Sequence, residues 1–213
     1  MAEKIPTKSQ KIWMHALAKI RNRYILCFME DILTLKSKKV IAGERKMAGL
    51  LERLAESILK SHPHLEDLVL IGIRCGGIPV TNRLKEIFKK RLGLELPVGY
   101  LDITLYRDDW TRISQHPEIK KTEIPFSIED KIILLVDDVL FTGRTVRAAM
   151  DALIDLGRPK KIELAVLVDR GGREFPIEPT FCAMKVKKVA PFDYVSVYFK
   201  ELHGKDQICL ESK

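Results

Sequence analysis

Four nearly unbroken apolar runs punctuate the chain: 65–73 (LEDLVLIGI), 96–106 (LPVGYLDITLY), 131–139 (KIILLVDDV) and 161–169 (KIELAVLVD). Runs of this length between polar and glycine-bearing segments read as strands buried on both sides. Between them, apolar residues recur every three or four positions. Met47, Leu50, Leu51, Leu54 and Ile58 give a buried face to a helix over about 44–60. A second helix is expected over 78–91, and a third over 144–157, closed by Gly157 and Pro159. Strands alternating with helices predict an α/β fold with a parallel twisted sheet flanked by helices. Two shorter strand-like pieces, 193–199 and 206–211, follow the fourth run.

Two segments stand apart from this alternation. In residues 8–35, Ile12, Ala16, Ile20, Tyr24, Phe28 and Ile32 step by four, which predicts an added N-terminal helix with one apolar stripe. The stretch 35–43 (LKSKKVIAG) breaks that pattern and reads as a linker, so the expected organisation is a basic extension, 1–43, and a body, 44–213. Residues 107–125 are polar, contain proline and lack periodicity; a loop of this length in a compact domain is usually functional, and a mobile lid is expected.

Charge sharpens the division. Residues 1–46 hold 11 Lys/Arg against 4 Asp/Glu, a net of +7, whereas the remainder holds 26 against 25. The basic excess belongs to the extension, where it is either a solvated helix face or a surface for nucleic acid. The four cysteines are widely spaced, with no CxxC pair and no histidine cluster, which suggests reduced thiols, no zinc site and a cytoplasmic setting. No membrane association is expected, because Ile25–Met29 is too short an apolar stretch to span a bilayer.

The chemistry concentrates in 134–146, LLVDDVLFTGRTV. Asp137 and Asp138 close a buried strand, and ligands of parallel sheets bind beyond the carboxyl ends of strands. The loop that follows runs into a helix, whose N-terminal amides can cradle a phosphate. Thr142 and Thr145 add hydroxyls, and Gly143 lets the backbone approach. No Walker motif is present; carboxylates beside a phosphate cradle suit a sugar phosphate, the acids accepting from ribose hydroxyls.

ILLVDDVLFTGRT resembles the 5-phosphoribosyl-1-pyrophosphate (PRPP) motif of type I phosphoribosyltransferases. VGYLDITLYRDD, VRAAMDALIDLGRPKKIELAVLVDRGGRE and GKDQICL are similar to the bifunctional pyrimidine operon regulator and uracil phosphoribosyltransferase family, over roughly 45–213. The resemblance implies a type I phosphoribosyltransferase fold with a small hood, and catalysis by Asp137, Asp138 and Arg107. It places PRPP on the pyrophosphate loop Arg74, Cys75, Gly76 and Gly77, and on Val139, Leu140, Phe141, Thr142, Gly143, Arg144 and Thr145. Val168, Asp169 and Arg170 fall at the family's base pocket. Mg²⁺ is expected to arrive on the pyrophosphate, with no protein ligand of its own.

The chain departs from the family pattern at three places. Gly76 stands where an arginine is usual, Gly172 where a histidine is usual, and Ala183, Met184 and Lys185 where Gly-Lys-Asn is usual. The readings carried forward are a uracil phosphoribosyltransferase forming UMP, an RNA-binding regulator using the nucleotide as a signal, and a phosphoribosyltransferase for another base. A homo-oligomer is expected, with the apolar stripe of 8–35 covered by its own domain or by a neighbouring subunit.

Overall fold

Ser37–Gly43 form a strand, β1, where the sequence suggests a linker. Its partner is β8 (Gln207–Ser212), antiparallel, with Ser37 opposite Ser212 and Lys38 opposite Glu211. The two lysines that break the helical pattern are those of an edge strand with one exposed face. Lys38 is not merely solvated: its Nζ lies 2.6 Å from the buried Glu211 carboxylate. The computed structural model describes residues 37–108, 121–187, 189–190 and 193–212. The expected helix over 8–35, with Trp13, and the middle of the polar loop, with Trp110, lie outside the described residues.

The body follows in order: α1 (Glu44–Ser61), β2 (Leu68–Ile73), α2 (Gly77–Leu92), β3 (Val98–Leu101), β4 (Ile132–Leu140), α3 (Arg144–Leu156), β5 (Lys161–Asp169) and β6 (Phe181–Lys185). The five strands make a wholly parallel sheet in the order β3-β2-β4-β5-β6. All six residues of β2 are buried, as two covered faces require. Leu68 and Leu70 pack toward Met47, Leu50, Leu54, Val80, Leu84 and Phe88 of α1 and α2. Val69, Ile71 and Ile73 pack toward Val146, Ala149 and Leu153 of α3.

The strand expected over 96–106 ends early. The Asp102 carboxylate accepts the Thr104 amide at 2.9 Å and its hydroxyl at 2.5 Å, turning the chain into a 3-10 turn, Thr104–Tyr106. The far limb of the long loop is fastened where mobility is expected: Tyr100 and Glu123 exchange two backbone hydrogen bonds of 2.8 Å. Last come β7 (Asp193–Tyr198), the short helix α4 (Lys200–His203) and β8, giving a small antiparallel sheet in the order β1-β8-β7. Val195, Val197, Phe199 and Ile208 seat this sheet against the α1/α2 side of the body.

Candidate active site

Because the five strands are parallel, the loops after β2, β3, β4 and β5 emerge at one edge of the sheet. Register aligns them: Gly72 pairs with Val136, Ile73 with Leu101, and Leu140 with Asp169. Asp137 is 6% exposed and Asp138 is half-buried. Each carboxylate turns to the chain just ahead: Asp137 Oδ1 accepts the Asp138 amide at 3.0 Å, and Asp138 Oδ1 accepts the Val139 amide at 2.9 Å. Burial pushes both acids above the usual carboxylate range, and at Asp137 the neighbouring Asp138 charge adds to it.

The loop Arg74–Gly77 presses directly on this pair. A side-chain carbon at Gly76 would land on the Asp138 carboxylate, and one at Gly77 on the Val136 carbonyl. Two glycines thus let the start of α2 lie against the end of β4. The Arg74–Cys75 peptide is cis. Arg74 pairs with Glu123 at 3.1 Å, and its buried Nε has no hydrogen-bond partner. The exposed Cys75 thiol sits between them in the chain.

On the other side, Gly143 takes a φ of +90° and begins α3 without a side-chain cap. The first-turn amides of a helix lack intrahelical acceptors, so this end is open to an anion. Thr142 Oγ1 accepts the Arg144 amide at 3.3 Å, and the Thr142 carbonyl is held by the Glu174 and Phe175 amides. Thr145 is half-buried in the first turn. Arg144 pairs with Asp108 and Glu174, and Arg147 donates to the Tyr106 carbonyl at 2.7 Å. The stem of the long loop is therefore tied to α3, and Arg107 lies half-buried within it.

Residues 40–197 match the family model described as the phosphoribosyl transferase domain. The bifunctional PyrR protein of Syntrophobacter fumaroxidans is 46% identical over 173 residues, covering 81% of this chain and 92% of that protein. That of Pelotomaculum thermopropionicum is 48% identical, covering 82% and 96%. The chain belongs to the phosphoribosyl transferase family, among the bifunctional PyrR proteins. Solved structures agree in fold. A hypoxanthine phosphoribosyltransferase from Staphylococcus aureus has a TM-score of 0.60 at 22% identity, covering 87% of this chain and 96% of its own. The hypoxanthine-guanine enzyme of Leishmania tarentolae has a TM-score of 0.61 at 16% identity, covering 82% and 96%.

In this phosphoribosyltransferase the acid pair, the glycine loop and the Thr142–Thr145 turn converge. The three residues expected at the base pocket do not all face one space. Val168 is fully buried between Val139 and Met184. Asp169 Oδ1 accepts the Gly171 amide at 2.9 Å and Arg173 Nη2 at 2.8 Å. Arg170 is 8% exposed and gives Nε and Nη2 to the Asp193 carbonyl at the start of β7.

Sequence reading missed two contributors. His203 of α4 lies close enough to Asp138 for their charges to interact; its Nδ1 accepts the Phe199 amide at 3.0 Å, and burial lowers its pKa. Arg83 of α2 clasps α4 and the turn after it, with bonds of 2.6–3.0 Å to Glu201 and Asp206. No local pattern marks either residue, since His203 meets Asp138 and Arg83 meets Glu201 and Asp206 only through the fold.

Proposed function

We propose that the protein is a uracil phosphoribosyltransferase that forms UMP and pyrophosphate from uracil and PRPP. The observation that carries this reading is the packing of Gly76 against the Asp138 carboxylate, which joins a phosphate-sized loop to a pair of acids beside a helix N-terminus. Asp137 and Asp138 would accept from the ribose hydroxyls. The open end of α3 would hold the 5′-phosphate, and the Arg74–Gly77 loop the pyrophosphate. As uracil N1 bonds to C1′ and releases its proton to solvent, the bond to pyrophosphate oxygen breaks and leaves its electron pair with pyrophosphate. Positive charge grows on the ribose ring in between, and two carboxylates beneath it lower that barrier. Arg74 and Arg107 offset charge on the leaving group.

A Mg²⁺ ion bound to the phosphates of PRPP would supply charge neutralisation on the pyrophosphate, with Asp137 and Asp138 as the carboxylates beside it. The carboxylate oxygens of Asp137 and Asp138 suit a hard cation that brings its own phosphate ligands. Asp137 and Asp138 are the nearest anionic oxygens.

The relatives are bifunctional PyrR proteins, and RNA binding is the second activity carried forward from the sequence. The exposed face of α1 mixes signs, with Glu52 and Glu56 beside Arg53 and Lys60, and Glu56 pairs with Lys60 at 2.8 Å. That face gives less support to RNA than the acid pair gives to catalysis. The unbridged thiols of Cys182 and Cys209 support a cytoplasmic setting. Among the described residues no helix is long and apolar enough to cross a membrane.

The test is pyrophosphate release from PRPP and Mg²⁺ with a panel of bases. Uracil is expected to support turnover well above every purine. Turnover with another base alone would transfer the reading to that base, and PRPP binding without turnover on any base would favour the regulator.

A further inference from the structure

The turn after β4 contains a residue that phosphate binding does not explain. A phosphate asks for N–H and O–H donors, and Phe141 offers neither from its ring, yet the residue is 39% exposed in the middle of the cradle. Its backbone is held on both sides. The Phe141 carbonyl accepts Arg173 Nη1 at 3.0 Å, and the next carbonyl, that of Thr142, accepts two amides. The phenyl ring is therefore placed deliberately by its surroundings, at the level where β4 and β5 leave the sheet together, since Leu140 and Asp169 are register partners.

One face of the ring is covered. The Arg170 guanidinium lies 3.7 Å from its centroid. Arg170 is itself fixed, because its donors go to the Asp193 and Ala190 carbonyls. The edge of the ring is fitted just as closely. Gly172 sits at a φ of +80°, and a side-chain carbon there would lie 2.7 Å from Phe141 Cε2, 3.2 Å from Cδ2 and 3.1 Å from Arg170 Nη1. Any larger residue at 172 would have to displace the ring. The space that a residue 172 side chain would fill is occupied by Phe141.

We propose that the open face of Phe141 is the platform on which the acceptor base stacks, with Arg170 as its backing and Gly172 as the residue that makes room for it. Every nucleobase has a π-face, and stacking on an aromatic side chain holds it whatever its edges carry. A guanidinium held behind the ring by its Nε and Nη2 bonds fixes the ring in place and commits those donors to the chain. Recognition of the base edge then falls to backbone groups around 170–173, and Phe141 supplies affinity. The identity of the base rests on the function proposed above; the platform does not.

Calorimetric titration with UMP, CMP, GMP and ribose 5-phosphate separates the two. For the wild-type protein, the best nucleotide should bind tighter than ribose 5-phosphate. In Phe141→Ala that advantage should fall on the order of tenfold or more, and a melting temperature near that of the wild type shows that the variant folds. Phe141→Tyr should restore the advantage, and Gly172→Ala should reduce it by moving the ring. If GMP rather than UMP is the best wild-type ligand, the uracil reading fails and the platform is judged on GMP. The platform is overturned if Phe141→Ala leaves the advantage intact, or if no nucleotide outbinds ribose 5-phosphate in the wild type.

Discussion

Replacing Gly76 with alanine adds one carbon at the point where the pyrophosphate loop meets the acid pair. That carbon would coincide with the Asp138 carboxylate, far inside the ordinary contact distance. The loop cannot lift freely, because Gly77 behind it is already against the Val136 carbonyl. The movable part is the Asp138 side chain, and rotating it breaks the 2.9 Å bond from the Val139 amide. A hydrogen bond to a charged group is worth about 1.5–3 kcal/mol, or roughly 10–100-fold in an equilibrium constant. If Asp138 holds the ribose, Gly76→Ala should lower kcat/KM for PRPP by about that factor. KM for the base should stay near its wild-type value, because the proposed function puts Gly76 on the donor side. Steady-state kinetics with each substrate varied in turn would show this. A kcat/KM for PRPP within about twofold of wild type would refute the reasoning, since it would mean the carboxylate can move without cost.

Other consequences can be measured in the same way. Changing Asp137 and Asp138 together to Asn should abolish turnover and keep the fold. Both acids have raised pKa values when folded, so the stability they contribute is present at low pH and is lost as pH rises through those values. The melting temperature of the Asn variant should therefore gain on wild type as pH rises, and a constant difference would count against the burial argument. Glu211 has the opposite sign: burial raises its pKa, but bonds from Lys38, Ser196 and Tyr198 outweigh it and leave the value lowered. Its contribution is lost as pH falls below the usual carboxylate range, and Lys38→Ala should cost about 1.5–3 kcal/mol in urea unfolding at neutral pH. Removing residues 1–36, which keeps β1, should lower the oligomeric mass in light scattering if the expected apolar stripe covers a neighbouring subunit. Unchanged mass with a lower melting temperature would place that stripe on its own subunit.

What the sequence disclosed followed from how much of the signal was local. β4 and β5 were legible within a residue, because a strand covered on both faces must be apolar throughout. α3 was legible from Val146, Ala149 and Leu153 at helical spacing. β1 was not, because its two lysines look like a solvated linker until Glu211 is placed opposite Lys38. β6 also escaped: Phe181–Lys185 is five residues long and lies at the sheet edge, too short for a periodicity. At the site, Asp137 and Asp138 announced themselves by adjacency. The glycines at 76 and 172 could be seen only as departures from a pattern. Their reasons, a carboxylate and a phenyl ring, lie tens of residues away in the chain.

The small sheet has a consequence for the order in which the molecule is made. β1 is translated before any strand of the parallel sheet, but Ser37 meets Ser212 across 175 residues. The parallel strands β2 to β6 can pair while β1 waits, unpaired and carrying two lysines that keep it from joining the wrong edge. Closing so long a loop is slow. Arg83 also finds Glu201 and Asp206 only at that late stage. The nascent chain can therefore acquire its phosphate turn early, but His203 and the α4 clasp arrive only with the last strand.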